Sequence, residues 1–118
     1  MITVYGISNC DTIRRARAWL EGEGIDYRFH DYRKDGVDAG MIGPWAQELG
    51  WEVLLNKRGT TWRKLPEAET EGLNEAKAIA LMATYPAMIK RPLFDLGDER
   101  RVGFSKNDQA ALAEKLKA

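Results

Sequence analysis

The spacing of apolar positions changes several times along the chain, and each change marks an element. Ile2-Thr3-Val4-Tyr5 is a β-rich run that stops at Gly6, which predicts a short strand over 2–5. A loop follows over 6–10. From Thr12 the spacing becomes helical, with Ile13, Ala16, Trp19 and Leu20 on one face and Arg14, Arg15 and Arg17 off it. Gly22 and Gly24 end that helix. Residues 26–32 carry enough aromatic side chains for a second strand. A strand–helix–strand unit predicts a parallel pair joined by a right-handed crossover, because sheet twist favours that hand.

The stretch 38–88 is helical in character. Ile42, Trp45, Ala46 and Leu49 form one stripe that ends at Gly50, and Val53, Leu54 and Leu55 begin another short piece, broken over 56–61. Strong helix formers fill 74–85, with Pro86 just beyond. The run 91–95 is a short strand candidate, a turn falls at Gly97-Asp98, and 101–104 is its hairpin partner. Ser105 is placed to cap a final helix over 106–117, whose apolar side is Ala110, Leu112, Ala113 and Leu116. The expected architecture is a single α/β domain over 1–118 with a helical insertion at about 38–88.

Composition narrows the function classes. The 118 residues are 44% hydrophobic and 31% charged, which suits a well-solvated globular chain. Lysine plus arginine equals aspartate plus glutamate at 18 each, so net charge gives no reason to expect nucleic acid or a membrane surface as partner. No apolar run reaches the roughly 18 residues of a spanning helix, and the opening residues have no signal-peptide pattern. With one cysteine and one histidine the chain has no internal disulfide, and a Cys/His metal site lacks ligands. The expectations are a cytoplasmic monomer with no bound cofactor and no metal.

The candidate chemistry lies in Tyr5-Gly-Ile-Ser-Asn-Cys10-Asp-Thr-Ile-Arg-Arg, where a thiol leaves the first strand just before a helix. Unsatisfied N–H groups and the positive end of the helix dipole favour thiolate over thiol there. That field is worth up to ~2 kcal/mol in a favourable site, more than a tenfold gain in thiolate. Asp11 opposes it. A lone cysteine is more often a small buried hydrophobe than a nucleophile. The polar strand-to-helix junction shifts the balance, leaving a reactive and an inert Cys10 about equally expected on chemistry alone.

Three segments taken in order carry a resemblance: YGISNCDTIRRARAWL (Tyr5 to Leu20), LLNKRGTTWRKL (Leu54 to Leu65) and YPAMIKRPLFDLGDERRVGFS (Tyr85 to Ser105). Together the chain resembles the arsenate reductase (ArsC) superfamily, and within it the Spx/YffB branch, over essentially its full length. The resemblance implies a thioredoxin-like (glutaredoxin/ArsC-type) mixed sheet with helices and a helical insertion. It implies that Cys10 is the nucleophile and that Arg91 holds an anion or a glutathione carboxylate. Pro92 matches the proline such folds place opposite the cysteine. Asn9, Thr12 and, more weakly, Arg58 join the implied anion- or glutathione-binding set, although the register puts the reductases' arginine nearer Asn56.

Two departures bear on activity. The segment Arg101-Val-Gly-Phe-Ser lacks an arginine that arsenate reductases place there, and Cys10-Asp-Thr-Ile13 lacks the second cysteine of the redox-sensing Spx switch. A thiolate that forms a mixed disulfide or an adduct needs a second thiol to resolve it. With none in the chain, glutathione or a glutaredoxin is the expected partner. The expected function is a glutathione-dependent thiol/disulfide oxidoreductase acting on a disulfide or a small oxyanion. The alternatives are an arsenate reductase coupled to glutathione and glutaredoxin, and a non-enzymatic Spx-like adaptor for RNA polymerase. Arg14, Arg15, Arg17, Arg63, Arg100 and Arg101 read as surface charge, Trp19 and Trp45 as core, and His30 as a strand residue. Trp62 falls in a polar loop where it is able to border a site.

Overall fold

A computed structural model describes residues 1–117 of the chain, which folds as two compact units. One comprises Met1–Lys34 and the chain from Arg91 onward, and the other Asp35–Lys90.

In the first unit the elements are β1 (Ile2–Gly6), α1 (Asp11–Gly22), β2 (Tyr27–Asp31), β3 (Leu93–Asp95), β4 (Arg100–Val102) and a last helix, α7 (Lys106–Lys117). The sheet order is β2-β1-β3-β4. β1 pairs parallel with β2, and the β1–β3 and β3–β4 pairs are antiparallel. Strand alternation sends Ile2 and Val4 inward, where they join Phe94, Ala16 and Leu20 of α1, and Phe104 and Leu112. Trp19, Phe29 and Leu116 pack against this core, Trp19 meeting the Phe104 ring edge-on at 5.9 Å. Each fully buried Leu or Phe adds about 1.5–3 kcal/mol of apolar transfer.

Reciprocal hydrogen bonds start α7. The Asp108 N–H donates to Ser105 Oγ at 3.1 Å, and the Ser105 N–H donates to Asp108 Oδ2 at 2.9 Å. The turn before β4 is closed by the Leu96 N–H on Glu99 O, with Gly97 at φ 94°.

The second unit is helical: α2 (Ala39–Leu49), α3 (Trp51–Leu54), α4 (Thr60–Arg63), α5 (Glu67–Thr70), α6 (Glu75–Thr84) and a 3₁₀ turn over Pro86–Met88. Asp38 and Asn74 cap α2 and α6 by accepting from the Met41 and Lys77 N–H groups. α2 packs against α3 and α6. Leu55 and Ile89 form a single antiparallel bridge, flanked by Asn56 N–H on Met88 O and Lys90 N–H on Leu54 O, both 2.8 Å. No described helix is long and apolar enough to cross a membrane.

Two expectations are corrected. Trp62 lies in the one-turn helix α4 rather than in a loop, because the backbone closes from Gly59 to Arg63 and from Thr60 to Lys64. Ala110 is exposed, since the buried stripe of α7 is narrow and centres on Leu112.

Candidate thiol site

Cys10 is the N-cap residue of α1, with an extended backbone (φ −96°, ψ 130°). Its N–H donates to Ile7 O at 3.2 Å and its carbonyl accepts the Arg14 N–H at 3.0 Å, so the loop runs straight into the helix. Gly6 sets how closely the two approach. A Cβ there would lie 2.2 Å from Ile13 Cδ1 and 2.8 Å from Cγ1, and Ile13 is fully buried. The first turn of α1 can rest on the end of β1 only because that residue has no side chain.

Partial burial pushes the Cys10 thiol up. The Ile13 N–H, the Arg91 guanidinium and the Thr12 N–H outweigh it, so the pKa falls below the ordinary thiol value. The sulfur makes no full capping hydrogen bond, and these groups act on it as a field of converging donors. It remains half-buried and a free thiol.

Arg91 reaches this place through the sheet. The antiparallel register pairing Tyr5 with Leu93 carries Arg91 and Pro92 back beside Gly6, and Arg91 Cβ is 3.9 Å from where a Gly6 Cβ would stand. The Arg91–Pro92 peptide is cis, and Pro92 O accepts the Gly103 N–H at 2.9 Å. Beside it Tyr5, His30 and Tyr32 form an aromatic group, with the Tyr5 ring 4.9 Å from His30 and 6.2 Å from Tyr32. Burial, and secondarily Tyr5, hold the Tyr32 phenol far above its usual pKa, while the Arg91 charge works the other way.

The sequence reading missed Asp31. Its side chain is only 4% exposed, yet it carries a carboxylate. Asp31 pairs with Gly6 across β1 and β2 and accepts from the Ser8 N–H (3.3 Å) and the Arg33 N–H (2.8 Å). Burial raises its pKa, but the Arg33 N–H, the Ser8 hydroxyl and N–H and the Lys34 N–H prevail and lower it. Asp31 thereby anchors the loop two residues before the thiol. The available signal was an aspartate ending a strand, a position such residues seldom take without a hydrogen-bonding task.

Thr12 therefore joins Cys10 through its backbone amide. Asn9 is exposed, and its carbonyl accepts from Arg14 Nη2 at 3.3 Å. Arg14 also pairs with Asp11 at 2.6 Å, which sets a cation against the carboxylate expected to oppose the thiolate. Arg58 belongs to the helical unit, where it is exposed and its N–H donates to Asn56 Oδ1 at 3.0 Å.

A half-buried thiol at the N-cap of the first helix of a β2-β1-β3-β4 mixed sheet, with a cis-proline in the returning chain, defines a thioredoxin-like protein. Residues 5–112 match the ArsC family, and the chain belongs to it. It is 47% identical to a solved YffB protein, with a TM-score of 0.89 over 94% of this chain and 97% of that one. An arsenate reductase (ArsC) related protein from Brucella melitensis is 46% identical, with a TM-score of 0.77 over 93% and 92% of the two chains. The global transcriptional regulator Spx of Streptococcus pyogenes is 26% identical over 110 residues, 92% of this chain and 81% of that regulator.

Proposed function

We propose that the protein is a glutathione-dependent thiol/disulfide oxidoreductase of the cytoplasm, acting as a monomer with Cys10 as its nucleophile. The observation that supports it best is the place of a half-buried Cys10 at the N-cap of α1, where the Ile13 and Thr12 N–H groups and the Arg91 guanidinium converge on the thiol and favour thiolate. In the first step the Cys10 thiolate attacks the glutathione sulfur of a mixed disulfide, forming Cys10–S–S–glutathione and releasing the substrate sulfur as a thiolate. A second glutathione thiolate then attacks the glutathione sulfur of that adduct. This forms oxidised glutathione and returns Cys10 as thiolate. In sum one glutathione thiolate is consumed, the glutathione carried by the substrate leaves with it as oxidised glutathione, the substrate sulfur is released reduced, and one protein cysteine is enough. Arg91 steadies the Cys10 thiolate before the first attack and as it is released in the second, and pairs with a carboxylate of the incoming glutathione.

The test is reduction of a glutathionylated peptide by glutathione with added protein, read as release of the peptide thiol. Turnover is expected for the wild type and abolished in Cys10→Ser. A wild-type Cys10 that alkylates with an ordinary thiol pH profile and shows no turnover overturns the proposal. Arsenate is a second substrate class, favoured by the Arg91 guanidinium beside the thiol, which suits an oxyanion. Arsenite formation with glutathione and glutaredoxin, lost in Cys10→Ser, would select it. If neither reaction runs, the surviving reading is an adaptor, checked by co-purification with RNA polymerase.

A further inference from the structure

Bases and acids are segregated in the helical unit. Between Glu52 and Glu67 the sequence holds Lys57, Arg58, Arg63 and Lys64 and no acid, although Asp35–Lys90 as a whole contains more acids than bases. Lys57 and Arg58 line a groove of about 400 Å³ together with Glu52, Val53, Leu55 and Lys90. All three of its cations are exposed, and none pairs with a carboxylate among the described residues. In the sheet unit Arg14, Arg100, Arg101, Lys115 and Lys117 each have a carboxylate partner, while the exposed Arg15, Arg28, Arg33, Lys34 and Lys106 have none among the described residues. The groove thus gathers three cations against the single carboxylate of Glu52.

Two further features shape this surface. Lys57 Nζ lies 6.0 Å from the Trp51 ring centre and 5.7 Å from that of Trp62, so two indoles steady its ammonium without cancelling the charge. Val53 is 49% exposed, and Met1 is the other large hydrophobic residue so exposed among the described residues. The backbone edge is already used, by Asn56 N–H on Met88 O and Lys90 N–H on Leu54 O. Recognition here works through side chains rather than by strand addition.

We infer that this groove docks an acidic segment of a partner protein, its carboxylates meeting Lys57, Arg58 and Lys90 and an apolar side chain covering Val53. A polyphosphate backbone fits less well, because three cations in one groove neutralise few phosphates and the chain as a whole is neutral. The inference rests on charge placement in the helical unit and stands apart from the thiol chemistry. Its test therefore uses the full chain carrying Cys10→Ser.

The probe is a fluorescein-labelled peptide of glutamates with interspersed leucines, followed by anisotropy. Its glutamine counterpart and labelled oligothymidylate serve as comparisons. The glutamate peptide is expected to bind, to weaken as salt rises, and to lose about tenfold in affinity with Lys57→Glu or Lys90→Glu. Lys106→Glu, an exposed charge change on α7, should bind as the parent does. Circular dichroism melting confirms that each variant is folded, and the salt titration of the parent stands without any variant. Equal binding of the two peptides, binding indifferent to salt, or binding unchanged in folded Lys57→Glu and Lys90→Glu overturns the inference. Oligothymidylate binding in place of the peptide also overturns it, in favour of nucleic acid.

Discussion

Two loops carry most of the chemistry-bearing side chains, and they are held in opposite ways. The loop from Ile7 to Cys10 is fixed from beneath, by the buried Asp31 carboxylate on the Ser8 N–H and by Gly6, which lets Ile13 close onto β1. The loop from Asn56 to Gly59 is tied at its first residue by the Asn56 N–H on Met88 O and is otherwise held by a short turn in which Asn56 Oδ1 accepts the Arg58 N–H, and its two cations stand in solvent. The difference follows from what each loop presents. A nucleophile depends on donors fixed to within fractions of an ångström, because the Ile13 and Thr12 amides stabilise the thiolate only at short range. A charged docking surface works over a Debye length of about 8 Å and tolerates mobile side chains.

The contrast breaks most readily at Gly6. Gly6→Ala forces a methyl group into the fully buried Ile13 side chain and is expected to cost about 3 kcal/mol in chemical denaturation. A change below about 0.5 kcal/mol would mean that α1 does not rest on β1 as described.

Next comes the pair of loop anchors. Asp31→Ala leaves the Ser8 and Arg33 N–H groups without their acceptor and is expected to cost about 2 kcal/mol, whereas Asn56→Ala costs about 0.5 kcal/mol. Equal losses would erase the distinction between the two loops. The pH dependence sharpens it. The pKa of Asp31 is lower folded than unfolded, so its contribution is complete above the unfolded value of about 3.9. That contribution is lost as pH falls through the depressed folded value, and Asp31→Ala should lack this part of the acid destabilisation.

A change in reactivity rather than stability belongs to Arg91. Arg91→Gln removes the charge beside the thiol and should move the alkylation profile of Cys10 to higher pH, slowing the reaction at neutral pH by roughly fivefold. An unshifted profile would assign the lowered thiol pKa to the helix amides alone.

Much of this architecture was legible in the apolar spacing. The expected strand over 2–5 and helices over 74–85 and 106–117 correspond to β1, α6 and α7 because each presents several periods of pattern or a cap such as Ser105. The one-turn helices α4 and α5 left no trace. Four residues give barely one period, and such segments form through packing rather than propensity. That is why Trp62 looked like a loop residue.

The thiol's position at a strand-to-helix junction was written locally, in Gly6 to Asp11. Its electrostatics were not, because Arg91 lies 81 positions further along and arrives by strand pairing. Asp31 was hidden for a related reason. An aspartate reads as polar surface until its neighbours are known, and only the parallel pairing with Gly6 shows that it is buried under the loop.

By itself the sequence determined the elements with a repeating pattern, the presence of one thiol before a helix, and the cluster of bases between Glu52 and Glu67. These depend on residues a few positions apart, and chain geometry alone relates them. Only the tertiary structure decided which donors face the sulfur, which carboxylate is buried, and that Lys90 shares a groove with Lys57 and Arg58. Such facts depend on distances across the fold, and burial and electrostatics follow distance in space rather than along the chain.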